Sequence, residues 1–235
     1  MAPASDALVI LPGFGYSRAG EKAFRELAPK LAAEGIDLYL PTYVSRKGLY
    51  DSRMRLQRFL RDARLERYER VHVFAFIAGG WTLNRVPDVE SLPNLATVIY
   101  DRSPYQERAP RIAQDRLPIL TWFRYGSAVA DVARTSYLPL TRPDVRVGLM
   151  IETRPTGFVS RFAKAADKQG PYRFACEAFA QPYDDCIYLP LNHAELYPRF
   201  AEIWPDVRSF IHGSRFTPAA NRTPPAGPMR LATGS

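Results

Sequence analysis

Cysteine, histidine and lysine are scarce in this 235-residue chain: it has 2 Cys and 3 His, and only five of its 32 basic residues are Lys. Cys176 and Cys186 form neither a C-x-x-C nor a zinc spacing, so they read as two buried or half-buried thiols rather than a bridge or a nucleophile. A reducing, cytoplasmic setting follows from that reading. His72, His193 and His212 lie far apart in sequence and offer no metal-ligand spacing, so neither metal nor cofactor is expected. No apolar run approaches the length of a membrane-spanning helix. The first ten residues carry no Lys or Arg, include Asp6, and do not read as a secretory signal. A phosphate-binding glycine loop is also missing: Gly13-Phe14-Gly15 lacks the third glycine and the acidic partner of a dinucleotide fingerprint.

What remains is an ordinary globular composition, 46% apolar and 24% charged, in a length that α/β folds often use as one domain. The net charge of +8 rests mainly on arginine and speaks to solubility and nonspecific partners rather than to fold. Arg55, Arg58, Arg61, Arg64, Arg67 and Arg70 recur every third residue, with Asp62, Glu66 and Glu69 between them. A three-residue step drifts around a helix, so the stretch reads as a solvated helix with internal ion pairs. Specific nucleic-acid binding is not expected without a helix-turn-helix, RNA-binding or zinc signature.

Short β-branched apolar runs predict strands at residues 7–11, 36–40, 71–76, 96–100, 145–151 and 187–191. Apolar positions three and four apart predict helices over 23–34, 53–70 and 200–210, with Gly35 placed to end the first. Strands alternating with helices imply a mostly parallel sheet flanked by helices, with chemistry at the carboxyl ends of the strands. The loops after Leu11, Phe76, Tyr100, Ile151 and Leu191 are therefore the places to search. Residues 103–143 exceed a simple crossover and contain Leu117 to Phe123, either a short cap over the sheet edge or one or two packed helices. From Ser214 the chain is rich in Pro and Arg without an acidic residue, which predicts a domain over 1–213 and a disordered basic tail over 214–235.

Leu11-Pro12-Gly13-Phe14-Gly15, Phe76-Ile77-Ala78-Gly79-Gly80 and Leu191-Asn192-His193, in that order, resemble the α/β-hydrolase superfamily, in particular its compact bacterial lipase and esterase members. The resemblance spans residues 7 to about 216 and implies an α/β-hydrolase fold. In that family a G-x-S-x-G turn after a strand lifts a serine into the active site. Here Ala75-Phe76-Ile77-Ala78-Gly79 stands in its place, with Ile77 at the serine position. Isoleucine has no nucleophilic atom, so acyl transfer through residue 77 is chemically impossible. The resemblance further implies oxyanion-binding amides at Phe14 and Ala78, and His193 as general base; a half-buried histidine capping a loop is the competing reading. The partner acid stays open among Asp101, Glu152 and Asp167, with Gln169 standing where relatives carry the acid of an Asp-Gly pair.

Two functional expectations follow. One is a non-catalytic hydrolase homologue whose pocket, floored by Ile77, takes a small apolar or acyl ligand. The other is an esterase-like or lipase-like hydrolase with a displaced mechanism, using Ser103, or a water activated by His193 with Asp101. Against the second, Asp101-Arg102-Ser103-Pro104 is also an ordinary helix-start sequence.

Overall fold

The computed structural model describes residues 4–87, 89 and 92–226. The apolar runs form six parallel strands: β1 (Asp6–Leu11), β2 (Ile36–Tyr39), β3 (Arg70–Ala75), β4 (Leu95–Arg102), β5 (Arg146–Glu152) and β6 (Asp185–Leu189). They pair in the order β2-β1-β3-β4-β5-β6. Every residue of β1 and β6 is buried, which is why these strands read as unbroken apolar runs rather than as alternating patterns. The chain leaves β1 toward β2 and returns on the other side at β3. The loops after β1 and β3 therefore diverge, and a crevice opens between them.

Ten helices flank the sheet among the described residues: α1 (Arg18–Ala33), α2 (Leu49–Asp62), α3 (Ile77–Leu83), α4 (Ala109–Arg116), α5 (Pro118–Tyr125), α6 (Ala128–Arg134), α7 (Gly157–Arg161), α8 (Ala163–Asp167), α9 (His193–Leu196) and α10 (Phe200–Gly213). Ser17 starts α1 by accepting from the Gly20 amide at 3.0 Å. Phe24, Leu27 and Leu31 of α1 join Phe200, Val207 and Phe210 of α10 over Leu8, Ile10, Phe74 and Ile99. On the opposite face Leu56 and Leu60 of α2 cover Val9, Val73 and Val98. The strands thus send alternate side chains into two cores. Gly79 of α3 lies against the end of β1, where a Cβ would stand 2.5 Å from the Leu11 carbonyl oxygen.

Several expected features come out differently. The helix expected over 53–70 ends at Asp62 and gives way to a 3-10 turn (Leu65–Arg67) after Arg64, whose φ is +49°. Leu65 and Tyr68 turn inward there and join the core. Strand β4 runs past Tyr100 because Asp101 and Arg102 pair with Met150 and Ile151, so Asp101 is a strand residue. Residues 103–143 hold three short helices, α4 to α6, docked on the loop before α2: the Ser127 amide donates to the Arg46 carbonyl at 2.9 Å, and Leu49 donates to Asp131 at 2.9 Å.

Cys176 and Cys186 form a disulfide, with their Cα atoms 6.5 Å apart. The expectation of two free thiols is thereby corrected. A 3-10 turn (Cys176–Phe179) folds one cysteine back onto β6, a proximity invisible in the spacing. The reducing, cytoplasmic setting loses its premise. Residues 214–226 are docked rather than loose: Phe216 is buried, the Tyr188 amide donates to the Asn221 carbonyl at 2.8 Å, and Arg222 pairs with Asp185 at 2.8 Å. The outer edge of β6 captures this stretch. The rest of the expected tail, 227–235, lies outside the described residues. No helix among the described residues is long and apolar enough to cross a membrane.

Candidate active site

Three strand ends converge at the carboxyl edge of the sheet. Strand β4 carries Asp101, β5 ends in Glu152, and the loop after β6 delivers His193. A capping box holds the histidine in place: the Asn192 side chain accepts from the amides of Ala194 (3.0 Å) and Glu195 (3.2 Å), and Glu195 Oε2 accepts from the Asn192 amide (2.9 Å). His193 Nδ1 lies 3.1 Å from Asp101 Oδ2 and 3.1 Å from Glu152 Oε1. Both carboxyl groups are fully buried, while the imidazole keeps 18% of its surface. Its other nitrogen, Nε2, lies 3.7 Å from the point a Cβ on Gly13 would occupy, and Ala78 Cβ lies 3.8 Å from the same point. The free nitrogen thus faces the gap between the loop after β1 and the start of α3.

The cluster holds its protons tightly. Burial raises the pKa of Glu152, and the charge of Asp101 raises it further. Burial alone would lower that of His193, but Glu152 and Asp101 outweigh it and push it well up. Asp101 Oδ1 and Glu152 Oε2 are buried without a hydrogen-bond partner. His193 Nδ1 and one oxygen of each carboxyl group also lie within 4.8 Å of one another, a donor set that would suit a divalent cation. That set is assembled from residues far apart in sequence, so spacing could not reveal it.

The other predicted residues fall as follows. Ile77 is the first residue of α3 and 7% exposed. Phe76 precedes it with φ −65° and ψ 155°, and no residue from 75 to 80 has a positive φ. The strained turn implied by Ala75 to Gly79 is therefore absent, and the chain enters α3 through relaxed angles. The Phe76 ring stacks on Tyr197 at 3.8 Å and meets His193 edge-on at 5.9 Å. The Phe14 and Ala78 amides have no acceptor among the described residues. Ser103 is fully buried, and its Oγ accepts from the Gln106 amide at 3.2 Å, so it serves the turn it starts. Asp167 ends α8 and exerts its charge on Tyr105 and Tyr172, apart from the histidine. His72 is a structural mid-strand residue, bonded to Thr97 Oγ1 at 2.8 Å.

Two residues escaped the sequence reading. Tyr197 accepts from the Gly13 amide at 2.9 Å, and Tyr43 donates to the Pro12 carbonyl at 2.5 Å. Tyr197 stands four residues after His193, the helical spacing that could have flagged it.

A cleft of about 180 Å³ opens beside the first loop, lined by Phe14, Tyr16, Tyr43, Arg46, Arg124 and Tyr125 among others. The Tyr16 hydroxyl donates to the Ile10 carbonyl at 2.7 Å, so Tyr16 and Tyr43 spend their polar tips on backbone and leave ring faces for the cleft. Ile77, Asp101, Glu152 and His193 do not line it. The expected pocket floor at Ile77 is thus corrected to the aromatic wall of the first loop.

No family model and no curated protein matches the sequence. Solved structures match in shape. A putative thioesterase from a Silicibacter species has a TM-score of 0.52 at 14% identity, over 90% of this chain and 77% of its own. An esterase from Pyrococcus furiosus gives 0.50 at 14% identity, over 90% and 82%. An extracellular α/β-hydrolase from a Paenibacillus species gives 0.50 at 12% identity, over 84% and 97%. Taken with the six parallel strands and their order, these likenesses establish that the chain has the α/β-hydrolase fold.

Proposed function

We propose that this protein binds a small amphipathic ligand, with an apolar or acyl body and an anionic end, in the cleft beside the first loop, and that it performs no serine acyl transfer. The observation that carries the reading is Ile77, a hydrocarbon at the serine register, in a turn without the strain that presents a nucleophile. The cleft is close in size to an apolar cavity of about 150 Å³ that holds benzene, so one ring or a short chain fits. Arg46 and Arg124 supply cations in its lining.

Chemistry through a displaced group has less support. Ser103 is engaged in its own turn. The two carboxyl groups keep His193 protonated through neutral pH, and an imidazolium cannot accept a proton from water.

Calorimetric titration with benzoate, hexanoate and their uncharged amides tests the reading, beside an assay on p-nitrophenyl acetate and butyrate. Saturable binding of the carboxylates is expected, weakened about tenfold by Arg124→Ala, with no ester turnover above buffer. Turnover that survives Ile77→Ala and vanishes with His193→Ala would overturn it, as would carboxylates that bind no better than amides.

A further inference from the structure

Large apolar side chains on a soluble surface are normally scattered singly. Here four stand on one two-turn helix: in α5, Ile119 is 74% exposed, Leu120 62%, Trp122 60% and Phe123 66%. Thr121 is buried and Tyr125 packs against Phe14 at 5.5 Å, while among the described residues nothing covers those four. The helix is nonetheless held. Gly126, at φ +61°, presses on Arg46 so closely that a Cβ would stand 1.9 Å from its carbonyl oxygen. The Ser127 amide donates to that same carbonyl, and the Arg46 guanidinium donates to the Phe123 carbonyl. The apolar residues are thus presented on an anchored element.

Cations surround them. Arg116 precedes the helix, Arg124 lies in its last turn, and Arg46 and Lys47 belong to the loop that anchors it; all four are exposed. Among the described residues none of the four lies within ion-pair distance of a carboxylate, although Lys47 exerts its charge on Asp51 from farther away. Between 109 and 125 the single acidic residue is Asp115. Tyr50 and Met54, at the start of α2 beyond that anchoring loop, are also exposed.

We infer that α5 docks this protein on an anionic lipid surface. Its Ile, Leu, Trp and Phe side chains enter the boundary between headgroups and acyl chains, and the flanking cations meet the headgroup phosphates. A bare apolar helix would suit a second copy of the chain equally well, but a copy would bring a like set of unpaired cations toward this one, whereas an anionic bilayer neutralises them. The inference shares Arg46 and Arg124 with the cleft, but Lys47, Arg116 and the four apolar residues do not line it, so the apolar and Arg116 variants below test the surface and not the cleft.

The test is co-sedimentation of the full chain with vesicles of phosphatidylcholine alone or mixed with phosphatidylglycerol, followed also by tryptophan emission. Binding is expected to favour the mixed vesicles by about tenfold and to weaken with salt. A blue shift should accompany it and disappear in Trp122→Phe, which still binds. Leu120→Ser with Phe123→Ser should reduce binding at least about tenfold while leaving the melting temperature unchanged, since both sites are exposed. Arg116→Gln should lower the affinity for mixed vesicles about fivefold. Equal binding to neutral vesicles would overturn the inference. So would no binding to either, or a concentration-dependent dimer that the double serine variant dissolves.

Discussion

His72 and His193 are enclosed by the same parallel sheet, and their surroundings push their protons in opposite directions. His72 lies within β3, with Thr97 on Nδ1 and one carboxylate, Asp6, 3.6 Å from Nε2. Burial dominates there and takes its pKa down from 6.5 to about 4, with Arg70 adding to the fall. His193 stands beyond β6 between two carboxyl groups that overcome the same effect of burial. Depth alone makes a neutral, structural histidine. Holding a proton in a dry site requires acids gathered around it, and in a parallel sheet that gathering happens where strands end together, at Asp101 and Glu152.

The largest expected effect comes from taking His193 away. In His193→Ala the two carboxyl groups face each other without a cation, and removing one partner of a buried charged group typically costs about 3–5 kcal/mol. For a chain of this size that corresponds to about 6–20 °C in melting temperature at neutral pH. Adding Glu152→Gln should change that loss little, because burial and Asp101 already hold a proton on Glu152 and the loss of the imidazolium strengthens that hold. The sign with pH also follows. Both shifts in the cluster are upward, so their stabilisation is complete below the unfolded-state pKa values and is lost as pH rises through the folded ones. Wild type should therefore weaken toward alkaline pH more steeply than the alanine variant. Differential scanning calorimetry across that range decides it, and a variant as stable as wild type at neutral pH would break the contrast.

His72 should show the opposite slope. Its folded pKa of about 4 lies below the unfolded 6.5. Its contribution is present above 6.5 and is lost as pH falls toward 4, when the unfolded chain takes up a proton that the fold refuses. A shift of that size is worth about 3 kcal/mol. Urea unfolding at steps between these two pH values should show the loss, and His72→Gln should flatten the curve by about one proton per molecule. An unchanged slope in the variant would mean that the site already admits a proton, and the two histidines would no longer be opposites.

These features were unequally visible in the amino-acid order. The strands were legible because a sheet covered on both faces needs unbroken runs such as Leu8-Val9-Ile10. Asp101, Glu152 and His193 were legible as strand-end residues, while the acid stayed open among Asp101, Glu152 and Asp167; the structure brings the first two to one nitrogen. The relaxed turn at Ile77 was hidden: small residues at 75 and 79 are compatible with a strained turn and with a plain helix start. The disulfide was hidden because Cys176 reaches β6 through a fold of the chain that leaves no spacing signature. The docked stretch after α10 was hidden because its anchors, Phe216 and Arg222, are isolated within a Pro-rich composition. Sequence patterns report periodic burial well and single anchoring contacts poorly.

The smallest expected effect concerns Ser103, a hydroxyl two residues beyond an acid that touches His193. If it took part in chemistry there, its loss would alter reactivity; if it only starts the turn after β4, its loss would be a matter of stability. Its Oγ accepts from the Gln106 amide at 3.2 Å, and the side chain is fully buried, which supports the second role. Ser103→Ala should cost about 1 kcal/mol, the usual loss for a capping hydroxyl, read as a melting shift of about 2–4 °C. The emission and near-ultraviolet dichroism of the folded protein should not change. A loss several times larger, or a rate of p-nitrophenyl ester hydrolysis in wild type that falls to the buffer value in Ser103→Ala, would place the hydroxyl in the histidine's chemistry. The contrast would then shift from two histidines to two serine positions, one emptied by Ile77 and one filled by Ser103.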